Sequence, residues 1–488
     1  MSKKLLMLFA VMGFLFSTIT IVANAAESGY CGDTLKWRYE DGTLTITGTG
    51  DMTDYSSVDR VPWYQHMKDI TEIILPEELT SIGDYAFWYA NIENIEIPSK
   101  VNSLGSCAFR ECVLLKDITI PNSTTEIGDY ALYGCISLES IALPEYLTTI
   151  KRSAFSGCTK LSNVYMGDNI TTIEYGAFYG CPVEYISLSD SLTTIGESAF
   201  ENCKKLKQIT FPEGFLSVGK SAFSNCTSLT KVQIPESLIT FGNYTFSGCT
   251  ALNSVTLHSK ITFIPHGIFS GCTGLKSISI HKSTTYISTQ AFYGCSNLAD
   301  IYYFGTAVNW TTLSIASYND PLTTAKIHYM CTLTYDLTGG SYGPPPQTFE
   351  LGQRIRISQT IPERNGYTFV EWNTKSDGTG TKVYYASDTV WSFDKSLTVY
   401  AIWKENPSVR ITFNDNNIVT VTARCVEEGN MVILAVYDGD KLLNVQMNEY
   451  KGEPIDFTET SAYTKAKAMV WETIDSLIPK CNVAEKIR

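Results

Sequence analysis

The sequence predicts a mainly β protein, a long solenoid followed by two smaller β modules. Three observations carry this. Cysteines recur every 23 residues, at Cys112, Cys135, Cys158 and Cys181, and after one 22-residue step at Cys203, Cys226, Cys249, Cys272 and Cys295. Three residues before each stands an apolar ladder of Phe109, Leu132, Phe155, Phe178, Phe200, Phe223, Phe246, Phe269 and Phe292, which begins one repeat earlier at Phe87. A strand-like run follows in each repeat, as in Leu229-x-x-Val232-x-Ile234, and stops at a proline such as Pro235. Self-similarity at this period marks a solenoid, in which no coil can bury its apolar side alone and stacking buries it in continuous columns.

The chain has 488 residues, a formal charge of −13 and a pI near 5.0. An acidic balance disfavours nucleic acid and anionic membranes as partners. Residues 1–25 read as a signal peptide: Lys3 and Lys4, an apolar run from Leu5 to about Val22, then the cleavage site Ala23-Asn24-Ala25. Its removal leaves 35 basic against 50 acidic residues, a charge of −15. No other stretch approaches the ~20 apolar residues of a transmembrane helix, and no covalent anchor is expected. The protein is expected to be secreted or held at the cell surface.

Residues 26–69 depart from the repeat and are expected to cap it. The runs Leu35-Lys-Trp37 and Thr43-Leu-Thr-Ile-Thr47 flank Asp41-Gly42, a hairpin turn signal. In residues 70–302 each coil is expected to supply one short parallel strand and one returning turn. Strands stacked ~4.8 Å apart make ten coils a rod of roughly 50 Å. The ladder cysteines read as small buried hydrophobes. Inward-pointing parallel side chains have the wrong dihedral for disulfides between rungs, and the spacing lacks the paired cysteines of a zinc site. A bridge between Cys107 and Cys112 is the alternative for that pair. Residues 303–331, with Trp310 and the alternating 325–329, are expected to close the last coil.

The L-x-x-I-x-I-P strand and the I-G-x-x-A-F-x-x-C turn resemble the BspA-type leucine-rich repeat of bacterial surface proteins, across about residues 70–302. The resemblance implies a leucine-rich-repeat solenoid and cell-surface proteins that contact host or neighbouring-cell macromolecules. Leu132 replaces Phe, Thr245 and Ile268 replace Ala, and residues 182–186 lack one position. The segment from Cys31 to Trp37 and Pro62-Trp63-Tyr64 resemble N-terminal caps of the same family. Residues 332–404 contain Tyr335-x-Leu337-x-Gly339-Gly340, Gly366-Tyr367-x-Phe369-x-x-Trp372 and Tyr400-Ala401-x-Trp403. They resemble the internalin-type B repeat, or Listeria–Bacteroides repeat, which implies a small β-grasp module with a spacer or ligand-binding role. Glu371 stands where that family carries Gly, which puts one turn in doubt. Residues 405–488 hold several short strand-like runs and are expected to form a β-sandwich of immunoglobulin or fibronectin-III type, with Cys425 and Cys481 as a possible staple.

Catalytic signatures are missing from the sequence: no G-x-S-x-G, P-loop, G-x-G-x-x-G or H-E-x-x-H occurs. His258 and His281 share one coil position and would stack on adjacent rungs, either as a shared metal site or as two exposed histidines. No enzyme activity, cofactor or metal is expected. What remains is the outward face of the strands. Its central row includes Tyr165, Ser187, Thr210, Gln233, Thr256, Ser279 and Tyr302, with Tyr185 alongside. A long, regular, polar face suits recognition of a macromolecule, and tyrosines bury large area while keeping a polar tip. The expected function is adhesion or interaction with a host or neighbouring-cell extracellular protein. The alternative is binding of mucin, dietary glycan or cell wall.

Overall fold

The computed structural model describes residues 27–383, 390–393, 395–406, 408–413, 418–424, 430–438, 441–449, 451, 453–458, 465–471 and 484–487. The expected signal peptide, Cys425 and Cys481 lie outside the described residues. The chain divides into two compact units, residues 1–329 and 330–488.

The first unit begins with the strands Glu27–Tyr30, Lys36–Glu40 and Thr43–Thr47, all antiparallel neighbours. Asp41 and Gly42, at φ 48° and 85°, make the left-handed two-residue turn that suits the strand twist. Thr43–Thr47 then pairs in parallel with Glu72–Ile74, and this converts a hairpin into the first rung of a stack. Trp63 is fully buried there. Its indole N–H donates to the Ala86 carbonyl at 2.7 Å, and its ring stacks 6.2 Å from Phe87.

Beyond it the coils stack in register. Ser140–Ala142 pairs with Asn163–Tyr165, Gln208–Thr210 with Lys231–Gln233, and Ser277–His281 with Asp300–Phe304, all parallel and one coil apart. Each coil carries a second short strand that the sequence reading did not anticipate. Thr149–Ile150, Thr172–Ile173, Thr194–Ile195, Ser217–Val218 and Thr240–Phe241 form one parallel sheet. These pairs are rich in β-branched residues, which suit extended backbone. Three of them precede glycine; an added Cβ at Gly219 would lie 2.5 Å from the Glu197 nitrogen, so that position requires glycine.

The returning turn is rounded by two left-handed residues per coil. One precedes the Phe by two (Tyr130, Ser198, Ser221) and one follows it by two (Gly157, Asn202, Asn225, Gly271). Between them the Phe amide donates to the next coil, as from Phe155 to the Ala177 carbonyl at 2.9 Å. This makes a third hydrogen-bonded ladder.

The core is the pair of columns read from the sequence. Phe155, Phe178, Phe200 and Phe223 are fully buried, with rings stacked 5.3 Å apart. The nine ladder cysteines are buried free thiols. Each donates to the carbonyl of the ladder residue one coil back, as Cys226 Sγ does to Phe200 at 3.2 Å. Cys107 is also free and sits at a left-handed corner at φ 56°.

Two short helices follow the last coils, Ala307–Thr312 and Asp320–Thr324, the first opened by a Thr306–Asn309 capping box. Buried Asn319 takes the place of a missing coil. Its Oδ1 accepts from the Phe292 amide at 3.0 Å, and its Nδ2 donates to the Ser288 and Ala316 carbonyls, each at 2.9 Å.

In the second unit Leu397–Glu405 is a central strand. It pairs in parallel with residues 333–336 and antiparallel with Tyr367–Asn373. Trp372 is fully buried, 4.9 Å from the Tyr335 ring. Glu371, where a turn was in doubt, lies within a strand beside a bulge that leaves Val370 unpaired. Its carboxylate is held by Lys382 at 2.9 Å and by the Asn373 amide at 3.0 Å. Residues 408–487 form two antiparallel sheets. One holds Ser408–Phe413, Ile418–Arg424 and Ile455–Thr458; the other holds Met431–Asp438, Lys441–Glu449, Lys465–Trp471 and Ala484–Ile487. The strands Ile455–Thr458 and Ala484–Ile487 were not anticipated.

Candidate interaction surface

Alternation along each three-residue strand buries its middle residue and presents the other two. Val164, Val232 and Val255 point inward, while Tyr165, Gln233 and Thr256 are exposed. The outward strand positions are not uniform. Thr256, Ser279, Tyr302 and His328 are consecutive register partners. Ser279 and Tyr302 are only half-buried rather than fully presented. The Tyr302 ring stacks on His328 at 5.0 Å, and His328 Nε2 lies 2.8 Å from Asp300 Oδ1. Tyr165 and Tyr185 are 66% and 56% exposed.

The face is not one sheet. Asn94–Glu96 pairs with Asp117–Thr119, Ser140–Ala142 with Asn163–Tyr165, and an uninterrupted ladder starts only at Gln208–Thr210. Residues 182–190 hold no strand where Ser187 was expected to sit in one. The cause is the 22-residue step. In other coils the Leu three residues after the cysteine donates its amide back to it, as Leu161 does to Cys158 at 3.0 Å and Leu206 to Cys203 at 3.1 Å. Here Pro182 follows Cys181 and Val183 takes the buried Leu position one residue early. The three-residue turn bond cannot form. Among the described residues, no backbone hydrogen bond joins 185–188 to either neighbouring coil.

The break opens a cleft of about 400 Å3 lined by residues 185–188, Asp190, Gln208 and 210–212. Tyr185, Ser187 and Thr210, three of the predicted residues, meet there. At its edge Lys207 Nζ lies 2.8 Å from Glu184 and 5.0 Å from the Tyr185 ring centroid. Lys207 holds the Glu184 carboxyl below the usual carboxylate range, and bonding to Glu184 and Tyr185 raises the lysine. The position repeats the Glu93–Lys116 pair of an earlier coil, also 2.8 Å. Such solvent-screened pairs contribute little to stability.

The two histidines do not form a shared site. His258 Nε2 lies 3.0 Å from the Leu238 carbonyl oxygen, and its Nδ1 accepts from Lys260 N–H. His281 Nδ1 lies 3.1 Å from Ser283 Oγ, and burial lowers its pKa. Both are half-buried parts of their own turns, not exposed as expected. Among the described residues no group of three metal-ligating side chains occurs.

A second feature was missed. On the returning turns Arg110 lies 4.6 Å from the Trp88 ring and 4.7 Å from that of Tyr133, and Arg152 lies 4.7 Å from that of Tyr175. These contacts link the same turn position in adjacent coils, but the residue type there changes from coil to coil, so the repeat pattern does not mark them. Among the described residues, no helix is long and apolar enough to cross a membrane.

Residues 62–183 and 171–299 match the family described as BspA type Leucine rich repeat region, in 6 copies. Residues 332–402 match the Listeria-Bacteroides repeat domain. The chain is similar to the crystal structure of a leucine rich cell surface protein from Faecalibacterium prausnitzii, at 25% identity, 60% of this chain, 98% of that one and a TM-score of 0.40. A leucine-rich repeat protein from Bacteroides ovatus is 22% identical over 62% of this chain and 99% of that one, with a TM-score of 0.46. One from Eubacterium ventriosum is 23% identical over 57% and 84%, with a TM-score of 0.40. No curated protein matches this chain.

Proposed function

For this chain, which carries BspA-type leucine-rich repeats and a Listeria–Bacteroides repeat domain, we propose an exported, non-enzymatic adhesion or interaction protein. The repeat family supports a protein-interaction role. The finer reading is that a host or neighbouring-cell extracellular protein docks on the exposed strand face, and that the second unit extends or presents that face. The carrying observation is the ladder from Gln208–Thr210 onward. It presents Thr210, Gln233 and Thr256 in register on successive rungs, over strands whose middle residues are locked into the core.

The test is a binding screen of the mature chain against immobilised extracellular-matrix proteins, mucin and purified cell wall. Gln233→Arg and Thr256→Arg place bulk and charge on the face without touching the core. Protein binding that falls at least tenfold in both variants supports the reading. Binding confined to a fragment of residues 332–488 overturns it and makes the repeats a scaffold.

A further inference from the structure

The cleft at the broken rung differs from the rest of the face in kind. From Gln208–Thr210 onward the outward side chains stand on a continuously paired sheet. Here the backbone groups of 185–188 have no partner in either neighbouring coil. The side chains of Ser187, Asp190, Gln208 and Thr210 line the opening, and none makes a hydrogen bond or ion pair within the described protein. Beside them stand the apolar walls of Ile186, Leu188 and Pro212 and the exposed Tyr185 ring. The site thus alternates unsatisfied donors and acceptors with apolar and aromatic surface over a few ångströms.

We infer that this cleft is a binding site for a neutral oligosaccharide. A pyranose ring has the complementary character: apolar C–H faces for the aromatic and aliphatic walls, and a rim of hydroxyls, each both donor and acceptor. A carboxylate and an amide lining the same cleft, Asp190 and Gln208, can hold sugar hydroxyls, with the carboxylate accepting and the amide doing either. A volume of about 400 Å3 lies in the range of small-molecule sites. Charge sets the class. The nearby cation Lys207 is already paired with Glu184, which leaves Asp190 as the unpaired charge in a chain of net −13. Sialylated and sulfated glycans would meet repulsion there, and a neutral glycan does not. The cleft shares Gln208 and Thr210 with the first rung of the docking face, whereas Gln233 and Thr256 lie outside it.

The test uses the full mature chain and isothermal titration with neutral oligosaccharides (gluco-, xylo-, manno- and galacto-series), with sialyllactose and a heparin fragment alongside. The expected result is saturable binding of at least one neutral series and none of the anionic probes. Asp190→Ala and Tyr185→Ala each weaken it at least tenfold. Tyr293→Ala, which removes an exposed tyrosine elsewhere, leaves it within twofold. A third variant replaces Pro182-Val183 with Thr-Lys-Leu, restoring the turn length of the coil at Cys158. It is expected to close the cleft and abolish binding while raising thermal stability. Because that change stabilises, lost binding there cannot be ascribed to misfolding. Failure of every neutral probe up to millimolar concentration, preference for an anionic probe, or binding that survives the restored turn each overturns the proposal. Binding of Gln233→Arg to the same oligosaccharide, unchanged while its protein partner is lost, separates this site from the docking face.

Discussion

Raising the pH tests the cysteine column directly. Burial pushes the thiols of Cys158, Cys203, Cys249 and Cys295 from 9.0 up to about 12, and shifts the other ladder thiols the same way. A thiolate there would lose solvation and turn its S–H···O=C donor into an acceptor facing an acceptor. The folded pKa is raised, so the stabilisation of these groups is complete below pH 9 and is lost as the pH climbs toward 12. At pH 10 each of the four thiols withdraws roughly 1–2 kcal/mol, so together they remove several kcal/mol. That is comparable with the whole stability of an ordinary domain, about 5–15 kcal/mol. The repeats are therefore expected to unfold between about pH 10 and 11, steeply and with uptake of several hydroxide equivalents.

The assay follows far-UV circular dichroism and thiolate absorbance near 240 nm across pH 7–11.5, under reducing conditions and within minutes of each pH jump. Loss of β structure and appearance of thiolate must coincide. A thiolate titration centred near pH 9 with the dichroism unchanged would refute the reasoning, because the column would then be open to water. At pH 8 a disulfide reagent should modify no ladder thiol until denaturant is added.

Two further predictions concern the ends of the stack. Trp63→Ala removes a fully buried indole and its hydrogen bond to Ala86. It should cost about 3–5 kcal/mol in urea unfolding, with hydrogen exchange rising first in the coils nearest residue 87. Asn319→Ala removes one acceptor and two donors that satisfy backbone groups of the last coil. It should cost about 2–3 kcal/mol and expose the Phe292 amide to exchange, and Asn319→Asp should rescue only that amide.

The columns were legible because a buried stack requires the same volume at the same place in every coil, so Phe and Cys recur by number alone. The left-handed corners were hidden for the opposite reason. Backbone geometry rather than side-chain type fixes them, and Tyr130, Ser198 and Cys107 fill the corner that Gly176 and Gly267 fill in other coils. Asn319 could not be read from period or pattern because it imitates a carbonyl of a coil that does not exist. Its one sequence signal was local, the Asn319-Asp320-Pro321 start of a short helix. The missing residue near 182 was visible as a count, yet its consequence lay in a turn bond and was not.

That consequence shows how recognition and stability separate in a repeat fold. Each coil contacts mainly its neighbours, so a deletion in one turn is local. The cost is one turn bond and the pairing of one rung, each hydrogen bond worth about 0.5–1.5 kcal/mol net. The buried columns pass the site unbroken: Phe178 and Phe200 stack at 5.3 Å, and Cys203 Sγ donates to the Phe178 carbonyl at 3.1 Å. Val183 still fills the core, 0% exposed. The shortened turn therefore shifts only residues 185–188, where Ile186 and Leu188 stay partly buried against the core. A solenoid can in this way open a cleft of chosen depth at one rung while the rungs on both sides keep their register, and the surface can change without a change of fold.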